Sequence, residues 1–93
     1  MHNLYIIYSK SGDKFYIGET NDTSVRLVKH NNHNYKGSFT KIASDWEIVL
    51  DYECLTKNDA LFLETFIKRM KSKKIILKII ENNEILKDVL DNR

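Results

Sequence analysis

Two short stretches of this chain are rich in β-branched and aromatic residues, a third alternates apolar and acidic positions, and most of the remaining apolar residues recur at helical spacing. Residues 4–8 (LYIIY) and 15–19 (FYIGE) are the first two, and SKSGDK between them supplies the Ser, Gly and Asp of a turn, so a β-hairpin is predicted. Residues 46–54 (WEIVLDYEC) alternate Trp46, Ile48, Leu50 and Tyr52 with Glu47, Asp51 and Glu53, the period of a third strand; Val49 alone breaks the alternation.

Between the hairpin and that strand, Asp22 or Thr23 can cap a helix through SVRLVKHNNHN, ending near Asn34. A loop follows to about Asp45, with Gly37 at its turn. Beyond Thr56, another cap candidate, KNDALFLETFIKRMK sets Ala60, Leu63, Ile67 and Met70 on one stripe, with Phe66 beside them. KKIILKIIE and NEILKDVLDN predict two further helices, the last capped by Asn82 or Asn83. The fold class is α/β: a small, mainly antiparallel three-stranded sheet packed by helices.

Hairpin geometry makes Gly18 informative, because a strand that keeps a glycine loses packing and needs a bulge or room for a close approach. With a loop of two or four residues, Tyr5, Ile7, Tyr16 and Gly18 share one face and Tyr8 points the other way. A four-residue loop sets Tyr5 opposite Gly18 and diagonal to Tyr16, opening a slot beside two phenols; an odd-length loop undoes this.

Composition narrows the class. With 93 residues the chain suits one domain, 1–93, and a hydrophobic fraction of 42% with 11% aromatics is that of a folded chain despite 30% charged residues. The lone Cys54 has no partner for a disulfide or a zinc knuckle and is read as a small core residue in a reducing compartment. No apolar run approaches the roughly 20 residues of a membrane span, and no leader pattern opens the chain, so a cytoplasmic protein is expected. A net charge of +2 says little about partners, but Lys68, Arg69, Lys71, Lys73 and Lys74 form a dense basic run.

Leu4-Tyr5 in one strand, like the end of a first motif, and Tyr16-Ile17-Gly18 in the next, followed in order by Arg26, His30 and Glu64, resemble the GIY-YIG nuclease superfamily across almost the whole chain, in the manner of its small single-domain bacterial-type members. Asn3 stands where the family often has glycine in its first motif, and Glu19 where the DNA-repair incision subunits carry lysine. The resemblance implies a divalent-metal-dependent endonuclease acting on DNA, of low sequence specificity, with a part in repair or recombination. It implies Tyr5, Tyr16, Arg26, His30 and Glu64 as catalytic residues, Glu64 as the ligand of one Mg²⁺ or Mn²⁺, and Lys68, Lys71, Lys73 and Lys74 along the nucleic acid. A monomer or weak dimer is expected, and the alternative is a GIY-YIG fold that binds nucleic acid or protein without cutting.

Residue chemistry suits those roles. Phosphodiester hydrolysis requires a deprotonated water in line with the leaving oxygen and positive charge on the phosphoryl oxygens. One carboxylate suffices for one hard ion that keeps several waters, and a guanidinium fork fits a phosphate. A phenol with a pKa near 10 is only about a thousandth ionised at neutral pH, so either tyrosine needs nearby cations to act as base. Each residue also has a plainer reading: tyrosines as sheet packing, Arg26, Lys29, His30 and His33 as a solvated stripe, Glu64 as the helical partner of Lys68, and Trp46 as core.

Overall fold

The architecture comes from a computed structural model, which describes residues 1–32 and 39–93. Strands β1 (His2–Ser9), β2 (Lys14–Thr20) and β3 (Trp46–Cys54) form one antiparallel sheet in the order β2-β1-β3. Helix α1 (Thr23–Asn31) and a short 3₁₀ helix (Phe39–Ile42) cover one face, while α2 (Lys57–Met70), α3 (Lys73–Glu81) and α4 (Glu84–Asp91) cover the other. The predicted loop before Asp45 thus contains a 3₁₀ turn, and Gly37 and His33 lie outside the described residues.

Helix starts follow their caps. Asp22 accepts from the Val25 amide at 3.2 Å, Thr56 from Asp59 at 3.1 Å and Ser72 from Ile75 at 3.2 Å, each satisfying an otherwise unpaired donor. At α4 the Asn82 side chain, not that of Asn83, takes the Glu84 amide at 3.2 Å. Lys71 ends α2 in the left-handed conformation, φ 47°, and turns the chain directly into α3.

The hairpin has the four-residue loop. Tyr5 pairs with Gly18 and Ile7 with Tyr16, which places these residues on the α1 face and Tyr8 on the other. Asp13 closes the turn at φ 50°, a conformation aspartate tolerates, and accepts from the Tyr8 hydroxyl at 2.8 Å. Asp45 fastens the same turn, accepting from the Ser9 hydroxyl at 2.6 Å and the Ser11 amide at 2.9 Å. Those hydrogen bonds hold the Asp45 carboxyl below its ordinary pKa, the Ser9 bond foremost.

Val49, the residue that breaks the alternation, is a bulge. Ile6 pairs with Leu50 and Ile7 with Ile48, so Val49 has no partner on β1. One extra residue shifts which side chains face which layer. Trp46 therefore packs with Tyr5 and Ile7 against α1, whereas Leu50 and Cys54 join Leu4, Ile6 and Ile17 under α2. A regular period of two would have put Trp46 and Leu50 on one face, and the bulge separates them.

The α2 face carries the larger core, with Leu4, Ile6, Leu63, Ile79 and Leu86 fully buried. Burial of each such side chain contributes about 1.5–3 kcal/mol. Cys54 lies in this core, and burial pushes its thiol pKa up, which makes it an inert packing residue.

Candidate active site

On the α1 face the side chains at the centre of the hairpin are polar as well as large. Gly18 has no side chain because Tyr5 needs the space: a Cβ built there would stand 2.6 Å from the Tyr5 Oη. The slot expected from the sequence exists, and the Tyr5 ring itself fills it. Tyr5 is 1% exposed, so its hydroxyl must find a partner inside the protein, and it meets His30 Nε2 at 2.8 Å.

His30 comes from the last turn of α1 and is 2% exposed. Its other ring nitrogen, Nδ1, lies 2.8 Å from the hydroxyl of fully buried Thr40, whose carbonyl oxygen accepts from Trp46 Nε1 at 2.9 Å. Burial first, and the positive charge of Arg26 second, push the His30 pKa down to about 4. The imidazole is therefore neutral at neutral pH and links one donor to one acceptor. Position 30 does not belong to a solvated cationic stripe with Arg26 and Lys29; tertiary packing removes it from water.

Tyr16 completes the cluster. Its ring centroid lies 4.8 Å from that of His30 and 6.4 Å from that of Tyr5, tilted against both, and it is only partly buried. Because β2 is an edge strand, α2 reaches Tyr16 from the opposite layer. The Lys68 ammonium stands 5.8 Å from the Tyr16 ring centroid and donates to Glu64 Oε2 at 2.7 Å. Glu64 is 19% exposed at its side chain, between core and solvent. Arg26, partly buried on α1 one turn before His30, brings fixed positive charge to the same side.

A family model described as the GIY-YIG catalytic domain matches residues 1–78. The chain belongs to the GIY-YIG superfamily. Searches of curated proteins and of solved structures found no match. GIY-YIG proteins are generally nucleases that act on nucleic acid and typically use divalent metals.

For this GIY-YIG chain the donor set sets a limit on any metal. Among the described residues, no group of three or more His, Cys, Asp or Glu could hold an ion. A single carboxylate at a half-open edge fits one hard divalent ion that stays largely hydrated and completes its shell with substrate oxygens. Lys68 occupies one Glu64 oxygen here and would share or yield it.

The basic run divides. Lys68 belongs to the Glu64–Tyr16 edge, Lys73 makes an exposed ion pair with Asp13 at 3.3 Å, and Lys71 and Lys74 are exposed. Thr40, which fixes the far side of His30, carries no signal in the sequence; one threonine in an irregular segment looks like any other. No helix among the described residues is long and apolar enough to cross a membrane.

Proposed function

We propose that this protein is a metal-dependent endonuclease that hydrolyses phosphodiester bonds in DNA, with a part in repair or recombination. The observation that carries the reading is the meeting of Tyr16, His30 and the Glu64–Lys68 pair at the open edge of β2.

Tyr16, the more exposed phenol, accepts the proton of the attacking water, and the Lys68 ammonium stands 5.8 Å from its ring centroid. Arg26 offers two parallel donors to the non-bridging phosphate oxygens. Glu64 would hold the divalent ion, which when bound supplies charge neutralisation at the phosphoryl group. Tyr5 and His30, at 1% and 2% exposure, do not meet substrate; their rings pack against Tyr16 and position it, and they are themselves held by buried hydrogen bonds that end at Thr40. Recognition runs mainly through phosphates, so sequence preference is slight. One site per chain, acting as a monomer or weak dimer, nicks one strand at a time.

The Lys68–Glu64 contact favours a second reading, a module that binds nucleic acid without cutting. Supercoiled plasmid, branched DNA and RNA incubated with Mg²⁺, Mn²⁺ or EDTA distinguish the two. Cleavage in metal that Glu64→Gln reduces at least about 100-fold supports the nuclease; cleavage undiminished in that variant removes Glu64 from the mechanism, and no cleavage by the native chain leaves the binding module.

A further inference from the structure

On the far side of β2 from Tyr16 lies a cleft of about 460 Å³ that shares Lys68 with the candidate active site and is otherwise outside the nuclease reading. Its floor is apolar, made of Phe15, Ile17, Ile67 and Ile76. Four cations stand around it, Lys14 from β2, Lys68 from α2, Lys71 from the turn and Lys73 from α3, against one acid, Asp13. Only the tertiary structure gathers this set, because residues 13–17 and 67–76 are far apart in sequence.

We propose that this cleft binds an unpaired nucleotide next to the scissile phosphate, so that the preferred substrate carries a single-stranded segment rather than plain duplex. The inference rests on the nuclease reading above. An apolar floor with an aromatic ring suits the π-face of a nucleobase, and a cationic rim suits the flanking phosphates; together they are the two components of single-strand binding. A base inside a duplex is stacked and paired and cannot enter a cleft of this kind without being extruded.

Two contacts set the position and the cost. Lys68 lines the cleft and also stands against Tyr16 and Glu64, so the cleft adjoins the candidate active site and a strand bound in it passes that site. Lys73 lies 6.0 Å over the Phe15 ring, in the place a base would take, and its pair with Asp13 is exposed on both sides, so exchanging that pair for a phosphate costs little. Tyr8 backs the Phe15 ring at a centroid distance of 4.7 Å and keeps it from turning away.

A single-stranded octanucleotide with one 2-aminopurine, titrated in EDTA so that nothing is cut, tests the cleft. Stacking on Phe15 should quench the fluorophore on binding. Phe15→Leu, which keeps apolar volume in a half-buried site, should abolish the quenching and weaken affinity roughly 5- to 150-fold, whereas Phe15→Tyr should retain both. Circular dichroism checks that each variant folds. Absence of quenching in the native chain, or equal quenching in Phe15→Leu, overturns the proposal, as does displacement of the oligonucleotide by an acidic, phenylalanine-containing peptide that binds more tightly. Cleavage without Phe15-dependent quenching removes the cleft and leaves the nuclease standing; quenching without cleavage in Mg²⁺ does the reverse.

Discussion

The two faces of the sheet are built on opposite principles. Under α2, α3 and α4 the core is aliphatic, with Leu4, Ile6, Leu63, Ile67, Ile79 and Leu86 all at 0–1% exposure. Under α1, equally buried positions hold Tyr5, His30, Thr40 and Trp46, joined through polar atoms at 2.8–2.9 Å. The aliphatic face depends on volume, because dispersion and burial have no direction. The polar face depends on direction, because each buried donor or acceptor left unmatched costs free energy that added volume cannot restore. A fold of this size can thus keep its stability on one side and hold a precise constellation on the other.

Removing one oxygen from the polar face should have the largest effect. Tyr16→Phe is expected to lower cleavage by about 10²- to 10⁴-fold, while Tyr8→Phe, whose hydroxyl donates to the exposed Asp13 on the opposite face, leaves the rate unchanged. Single-turnover rates of nicking on supercoiled plasmid decide it, and equal losses in the two variants would mean that the faces do not differ in function.

On the aliphatic face, Leu63→Ala should cost about 2–5 kcal/mol by loss of burial and creation of a cavity. Leu63→Met, close to it in volume, should cost less than about 1.5 kcal/mol. Urea denaturation measures both.

The same method applied to Thr40→Val sharpens the contrast, because here shape is kept and only the hydroxyl opposite His30 Nδ1 is lost. A cost of about 1–3 kcal/mol is expected, with recovery in Thr40→Ser. A neutral Thr40→Val would show that the polar face, like the other, responds to volume alone.

The most gradual effect is one of pH. His30 has a folded pKa of about 4 against an ordinary 6.5, so the unfolded chain takes up the proton first as pH falls. Its contribution is fully present above about 6.5 and is lost on the way down to about 4, with a slope of at most about 1.4 kcal/mol per pH unit. Asp45, whose folded pKa is depressed, contributes in a separate window, full above its ordinary 3.8 and lost below it. Denaturation midpoints between pH 7 and 4 should fall in the native chain and be flatter in His30→Asn.

Much of this was set by neighbours in sequence. The caps at Asp22 and Thr56 act within three residues, and the strand-forming runs and the helical stripe from Ala60 to Ile67 are local patterns. The facing of Tyr5, Gly18 and Tyr16 also follows from the chain alone once the loop has four residues, because strand parity leaves no freedom. The order of Tyr5, Tyr16, Arg26, His30 and Glu64 was enough to point to the family. What the sequence could not contain is orientation between segments far apart. Whether Val49 pairs or bulges depends on how β3 meets β1, and that choice sends Trp46 to one face and Leu50 to the other. His30 lies on a helix whose pattern reads as solvated; only the approach of Tyr5 and Thr40, 25 and 10 residues away, makes it buried and neutral. Gly18 announced a space, but the Tyr5 ring that occupies it was a matter of rotamer. The cleft floored by Phe15 and Ile76 forms where Lys71 turns left-handed and brings the start of α3 beside Phe15, a contact that depends on the packed chain and not on any one stretch of it.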